Sequence, residues 1–265
     1  MIILTPAKIN LGLRVLEKRS DGFHNLDSYI YAIPLYDILE ILPQPTDELI
    51  QTGIIASSSM HDNLVYKALL LLRKQYEIPP LKIHLHKQIP VQAGLGGGSG
   101  NAVGMLQLLN QEFHLRIGED QMLTYAAELG SDCPFFVKAH TSRLSSKGER
   151  LSAVHLSLTP YFIVIIKPQL SISTAEAFAT IKPSAICLPD ILSLSEDEYQ
   201  NQLINDFDVV LSKKYEEIGA IKAWLLAQGA FMASLSGSGS AVFGLFKEKR
   251  LLDIPFDAFV WQGSL

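Results

Sequence analysis

Residues 90–101 read Pro90-Val-Gln-Ala-Gly-Leu-Gly-Gly-Gly-Ser-Gly-Asn101, and five of the seven residues from Gly94 to Gly100 are glycine. Before this stretch stands an alternating run, Leu81–His86; after it comes an apolar run with helical spacing, Asn101–Phe113. Glycine admits positive φ and lets backbone approach a ligand closely. Successive N–H groups in such a turn can surround phosphate oxygens. The start of the next helix adds its positive dipole end and unpaired N–H groups. Ser99 places a hydroxyl at the same point, able to bond a phosphate or assist a bound Mg²⁺. A glycine run can also be only a tight turn, but a strand before it and a helix after it favour phosphate binding. No Gly-Lys-Ser/Thr follows, so this is not a Walker A loop, and Gly-x-Gly-x-x-Gly fails at every register. The protein-kinase signatures His-Arg-Asp and Asp-Phe-Gly are absent from the chain.

The pattern continues outward on both sides. In the run before the loop, Leu81, Ile83 and Leu85 face a core while Lys82, His84 and His86 face out. His84 and His86 share that face without a third ligand at metal-site spacing, so an exposed strand face is expected. Upstream, Asn63–Tyr76 carries Leu64, Ala68 and Leu71 on one helical face. Ile2–Leu4, Ile9–Val15, Ser28–Ala32 and Asp37–Leu42 read as strands. Downstream, Gln121–Leu129 is a helix stopped by Gly130. Tyr161–Ile166 is a dense β-branched run, hence a buried strand, ended by Lys167-Pro168. Ser173–Ile181 is helical, and Lys182–Glu196, with Pro183 and Pro189, is a connector. Phe231–Leu235 and Ala241–Phe246 are two strands around Ser236-Gly-Ser-Gly-Ser240. There is no repeat at a fixed period. Such mixing implies an α/β or α+β protein, with a soft boundary near residue 158.

Composition narrows the function classes. The chain has 265 residues, 48% hydrophobic and 18% charged, enough to bury a substantial core. Its formal net charge is −5 with no long run of one sign, which argues against a nucleic-acid partner and leaves room for a local anion pocket. Two cysteines, Cys133 and Cys187, make no disulfide framework, and a reducing compartment fits best. The start, Met-Ile-Ile-Leu-Thr-Pro, lacks a signal-peptide pattern, and no apolar run approaches membrane-spanning length. A cytoplasmic protein, monomeric or weakly dimeric and without a membrane partner, is expected.

Three segments in order then resemble the galactokinase–homoserine kinase–mevalonate kinase superfamily of small-molecule kinases. They are Pro6-Ala-Lys-Ile-Asn-Leu11, the loop at 90–101, and Leu235-Ser-Gly-Ser-Gly-Ser-Ala-Val242. Two more, Arg19-Ser-Asp-Gly-Phe-His-Asn-Leu26 and Leu129-Gly-Ser-Asp-Cys-Pro-Phe-Phe136, are similar to the branch whose alcohol substrate is a cytidine-diphosphate-linked polyol. The resemblance implies a two-domain α+β fold with the active site in the interdomain cleft. Residues 1–158 would form an ATP-binding domain and residues 159–265 a substrate-binding domain. It implies Mg²⁺-dependent transfer of the ATP γ-phosphoryl group to a hydroxyl, with Pro90, Gly94, Leu95, Gly96, Gly97, Gly98, Ser99, Gly100 and Asn101 at ATP.

The same resemblance distributes the remaining roles. Asp132 lies after a helix, between Gly130 and Pro134; from the residues alone it is as readily a turn aspartate capping backbone N–H groups. The family pattern makes it the base that accepts the substrate hydroxyl's proton. Lys8, by residue type a solvated surface lysine, becomes the cation that keeps Asp132 ionised and offsets charge on the phosphoryl group. Asn10 shares the Lys8 strand face and would bond substrate or fix the lysine. Phe23 and Phe178 would stack on opposite sides of cytosine, and His24 would hydrogen-bond the base edge. Gly237, Ser238 and Gly239 would back the phosphate loop and contact substrate, and Asp62, Asn63 and Lys67 would border adenine. Cys133, beside the base, reads as a small buried residue.

The chain departs from the branch at Gly100, where serine is usual, at Val103, where alanine is common, and at Phe23, where tyrosine is usual. Two rivals stand beside this assignment. One is a homoserine- or mevalonate-type kinase, against which Phe23, His24 and Phe178 argue. The other is a non-catalytic ATP-binding protein, against which Lys8 and Asp132 together argue.

Overall fold

The computed structural model describes residues 1–54 and 59–265. In chain order the elements are β1 (Ile2–Lys18), β2 (His24–Pro43), β3 (Glu48–Gly53), α1 (Leu64–Arg73), β4 (Leu81–Lys87), α2 (Gly97–Glu112), α3 (Glu119–Leu129) and α4 (Cys133–Lys138). They continue as β5 (Ser142–Ser145), β6 (Arg150–Ala153), β7 (Phe162–Pro168), α5 (Thr174–Ala179), α6 (Glu196–Gln202), α7 (Asp206–Lys214), α8 (Glu216–Ala227), β8 (Met232–Leu235), β9 (Val242–Phe246) and β10 (Ala258–Ser264). Strands β1 and β2 each join two runs that the sequence pattern separates. Residues 7–13 of β1 are all buried, so the alternation that marks a half-buried strand is missing there.

The described residues form two compact units. They are not the two sides of one cut at residue 158. Residues 8–34 and 92–95 group with 141–265, because β1, β2 and the glycine-rich loop each supply residues to both units.

The first unit holds residues 1–7, 35–91 and 96–140. Its sheet pairs β4 antiparallel with the C-terminal half of β2, from Ile38 opposite His86 to Pro43 opposite Leu81, and β3 runs parallel to β4 on the other side. β4 alternates as its sequence requires: Leu81, Ile83 and Leu85 are buried. His84 and His86 are half-buried rather than exposed, because the Thr52 hydroxyl lies 2.9 Å from a ring nitrogen of each. Helices α1, α2 and α3 cover the apolar face, around Ile41, Leu69, Leu72, Ile83, Met105, Leu109 and Tyr125. Asn63 caps α1, its Oδ1 accepting the Val65 N–H at 2.9 Å.

The second unit is built on an antiparallel sheet in the order β10-β7-β9-β8. Phe162–Ile166 of β7 are buried throughout, as an interior strand of this composition must be. Pro168 extends the strand but pairs only with Ala258 of β10, beyond the last β9 partner at Val242, where its missing N–H breaks no second ladder. Phe207 and Leu211 of α7 and Ile218, Ile221 and Leu225 of α8 join Val164, Val242 and Phe246 in its core. The β5–β6 hairpin pairs with the N-terminal half of β2, at Ser28 opposite Leu144. Arg143 forks onto Asp27 there at 2.7 and 2.8 Å.

Candidate active site

In the first unit, α2 begins at Gly97, four residues earlier than the sequence pattern places it. Gly96 is its N-cap, with φ 71°, and supplies no capping side chain. The first N–H groups of a helix have no intrahelical partner, so this turn presents donors without a side-chain cap. The glycines also serve packing. A Cβ on Gly97 would stand 2.8 Å from Ile89 Cγ2, and one on Gly100 would stand 3.0 Å from the Pro6 carbonyl and 3.4 Å from the Phe136 ring. Gly100 thus fits a tight seat against Phe136. Gly98 is exposed and Gly94, Gly96 and Ser99 are half-buried, whereas Pro90, Leu95, Gly97, Gly100 and Asn101 are buried. The Asn101 side chain is turned inward: Nδ2 donates to Thr5 Oγ1 at 2.7 Å and to Asp37 Oδ2 at 2.9 Å.

Asp132 occupies the N-cap position of α4, and its side chain makes no capping hydrogen bond to that helix. It is half-buried. The next residue, Cys133, is fully buried, and burial pushes its thiol up to about 11. At pH 7 that sulfur is neutral and is no nucleophile. α4 packs on the first turn of α2 through Phe136, whose ring stands 3.4 Å from a Cβ built on Gly100. Leu64 approaches the same turn, its Cδ1 standing 3.7 Å from a Cβ built on Gly98, while Asp62 and Lys67 are exposed.

In the second unit, Lys8 and Asn10 are 3% and 2% exposed, which removes the solvated-lysine alternative. Lys8 Nζ donates to Asn10 Oδ1 at 2.5 Å, Asn10 Nδ2 donates to Ser28 Oγ at 2.9 Å, and the Ser28 hydroxyl donates to the Gly12 carbonyl at 2.6 Å. The carbonyl of Leu95 accepts the Lys8 N–H at 2.9 Å, and that of Ala93 accepts the Ala241 N–H at 3.1 Å. A Cβ on Gly237, where φ is +57°, would stand 3.3 Å from Lys8 Nζ and 3.5 Å from Asn10 Oδ1. Three motifs far apart in sequence therefore meet within this unit. Ser238 is half-buried in the same turn. Sequence reasoning missed Asn205, whose buried Nδ2 donates to the carbonyls of Leu235 and Gly237, both at 2.9 Å, while its Oδ1 caps α7. The signal was the N-cap pattern Asn205-Asp-Phe-Asp208.

The aromatic group also lies in the second unit. His24 stacks on Phe178 with ring centroids 5.5 Å apart and 22° between planes, and Phe178 packs edge-on against Phe207 at 5.0 Å. At that separation His24 and Phe178 touch, so a base would lie over an outer face of the pair. Phe23 is 58% exposed, with Lys147 Nζ 5.3 Å from its ring centroid.

Residues 63–140 match the GHMP kinases N terminal domain, and residues 184–254 the GHMP kinases C terminal domain. The chain is 44% identical to the 4-diphosphocytidyl-2-C-methyl-D-erythritol kinase of Bacteroides thetaiotaomicron and 42% identical to that of Porphyromonas gingivalis, over 100% of each chain. A crystal structure of 4-(cytidine 5'-diphospho)-2C-methyl-D-erythritol kinase superposes with a TM-score of 0.80 at 30% identity, covering 93% of this chain and 90% of that one. Mevalonate kinase from Methanococcus jannaschii superposes at 0.69 with 14% identity over 99% and 97% of the two chains, which is a likeness of fold. With full-length relatives at this identity, the chain belongs to the 4-diphosphocytidyl-2-C-methyl-D-erythritol kinase family of GHMP kinases.

Proposed function

We propose that this enzyme transfers the γ-phosphoryl group of ATP to the 2-hydroxyl of 4-diphosphocytidyl-2-C-methyl-D-erythritol, a step in non-mevalonate isoprenoid precursor synthesis. The observation that carries this is the full-length identity of 42–44% to kinases of that name. ATP docks its phosphates on residues 94–101, where Gly98 is open and Gly96 and Ser99 are partly so. The Ser99 hydroxyl would help hold a Mg²⁺ ion bound with ATP, which would offset charge on the phosphates.

The chemistry is assigned to this chain's own groups. As the substrate oxygen forms its bond to the γ-phosphorus, Asp132 takes the hydroxyl proton and the bond from phosphorus to the β–γ bridging oxygen breaks, releasing ADP. No covalent enzyme intermediate is needed, because positioning and charge stabilisation carry the step. Lys8 supplies positive charge, and its hydrogen bond to Asn10, itself held by Ser28, orients the ammonium. Phe23, His24 and Phe178 take the cytidine end, which homoserine and mevalonate lack, and Ser238 contacts the acceptor. No described helix is long and apolar enough to cross a membrane, and the reaction is assigned to the cytoplasm.

Incubation with γ-³²P-labelled ATP and the cytidine substrate tests this. Label should appear in one acceptor product, and ³¹P NMR should place the new phosphate on the 2-position. Label only in free phosphate, or a phosphate on another hydroxyl, would contradict it.

A further inference from the structure

Beneath the glycine-rich turn, one buried carboxylate gathers both ends of the loop. Asp37 Oδ1 accepts the N–H of Gln88 at 2.7 Å and of Ile89 at 2.8 Å, where the chain leaves β4 for the loop. Asp37 Oδ2 accepts from Lys87 Nζ and from Asn101 Nδ2, where the chain has entered α2. Asn101 Oδ1 accepts from Lys87 Nζ at 3.0 Å, and Asn101 Nδ2 also reaches Thr5 Oγ1. Thr5, Asp37, Lys87 and Asn101 are at most 5% exposed. Lys87 Nζ stands 3.2 Å from where a Cβ on Gly97 would lie, so the ammonium sits directly under the first residue of α2.

A buried ion pair of this kind adds little to stability over an apolar core, because desolvation offsets the attraction. What it fixes is geometry. We infer that Asp37, Lys87 and Asn101 form a clasp that sets the shape of the phosphate-binding turn and so its affinity for ATP. The inference rests on the reading that this turn binds ATP. The three are positioning residues: they hold the turn from below and act on ATP through its backbone.

The test measures the Kd of a non-hydrolysable ATP analogue, with KM for the acceptor and circular dichroism, on the full chain. Asn101→Ala unties α2 from the carboxylate. The double variant Asp37→Asn/Lys87→Met removes both charges and leaves neither unpaired. Asn101→Ser keeps one donor toward Asp37, the graded form least disturbing to folding. Gly98→Val, at the exposed position, intrudes on anything the turn holds and reports on the ATP reading itself. The clasp predicts a rise in Kd of about 10- to 100-fold for Asn101→Ala and the double variant and a smaller rise for Asn101→Ser, with acceptor KM within about twofold. Loss of affinity in Gly98→Val, with the folded clasp variants binding within about twofold of wild type, would overturn the clasp alone. Unchanged affinity in Gly98→Val would overturn the ATP reading of the turn and the clasp with it.

Discussion

The hydroxyl of Ser236 donates a 2.8 Å hydrogen bond to the carbonyl of Gly94, across 142 residues of sequence. Gly94 has φ +72°, and a Cβ there would stand 1.9 Å from the Ser236 carbonyl oxygen. The contact leaves room for no side chain. It fixes the loop's first half beside the Lys8 strand, since the next residue, Leu95, accepts the Lys8 N–H.

Gly94→Ala meets both a forbidden backbone conformation and a backbone clash. It should lower unfolding free energy by about 2–4 kcal/mol. Gly98→Ala, whose Cβ would make only an ordinary contact with Leu64 at a helical position, should change stability by less than about 1 kcal/mol. Urea unfolding of the two variants decides it, and a loss below about 0.5 kcal/mol for Gly94→Ala would show that the Gly94–Ser236 packing yields easily.

Asp132→Asn keeps the size of the side chain and removes the base. Turnover should fall by about 10²–10⁴, with affinity for ATP within about threefold of wild type. Single-turnover phosphoryl transfer and nucleotide binding, measured separately, distinguish these effects. Turnover near wild type would remove Asp132 from the proton transfer.

The stacked pair should govern the acceptor alone. Base stacking contributes about 1–3 kcal/mol per base, so His24→Ala and Phe178→Leu should raise acceptor KM by about 5- to 150-fold. KM for ATP should stay within about twofold. A rise in ATP KM with acceptor KM unchanged would place the cytidine elsewhere.

Asp47 gives a pH-dependent test of the fold. Arg73 forks onto its carboxylate, with Nη2 to Oδ1 at 2.8 Å and Nη1 to Oδ2, and the Leu81 N–H adds a bond at 2.9 Å. The Arg73 hydrogen bonds, then the Leu81 N–H, hold this carboxyl below its ordinary range against the opposing effect of burial. A carboxyl lowered in the folded state contributes stability that is fully present above its unfolded pKa and is lost as pH falls through the folded one. Asp47→Asn should therefore be less stable than wild type by about 1–3 kcal/mol at pH 7. That gap should narrow below about pH 4. A gap equally wide at pH 7 and pH 3 would contradict the assignment.

What the residues announced in advance follows from how local each signal is. The alternation of Leu81–His86, the turn 236–240 between two strands, and the glycine cluster are properties of a few adjacent residues. The sequence pattern puts the start of α2 late because glycine is a poor helix former; packing against Ile89, Pro6 and Phe136 overrides that propensity. The short strands β5 and β6 carry mostly polar residues, and only pairing with each other and β2 makes them strands. Among site residues, Lys8 and Asp132 were named through family likeness, since a lone lysine and a turn aspartate carry no local signal. Asp37 and Lys87 carry no local signal because each is polar, isolated in sequence, and meaningful through partners 14 to 64 residues away, whereas the local pattern at Asn205 announces only a helix cap.

The most direct test of the central claim is ADP release from ATP·Mg²⁺ with 4-diphosphocytidyl-2-C-methyl-D-erythritol, mevalonate and homoserine as parallel acceptors. Release with the cytidine-linked acceptor alone is the expected result. Release only with mevalonate or homoserine would contradict the assignment of His24, Phe23 and Phe178, and no release with any acceptor would contradict the kinase assignment itself.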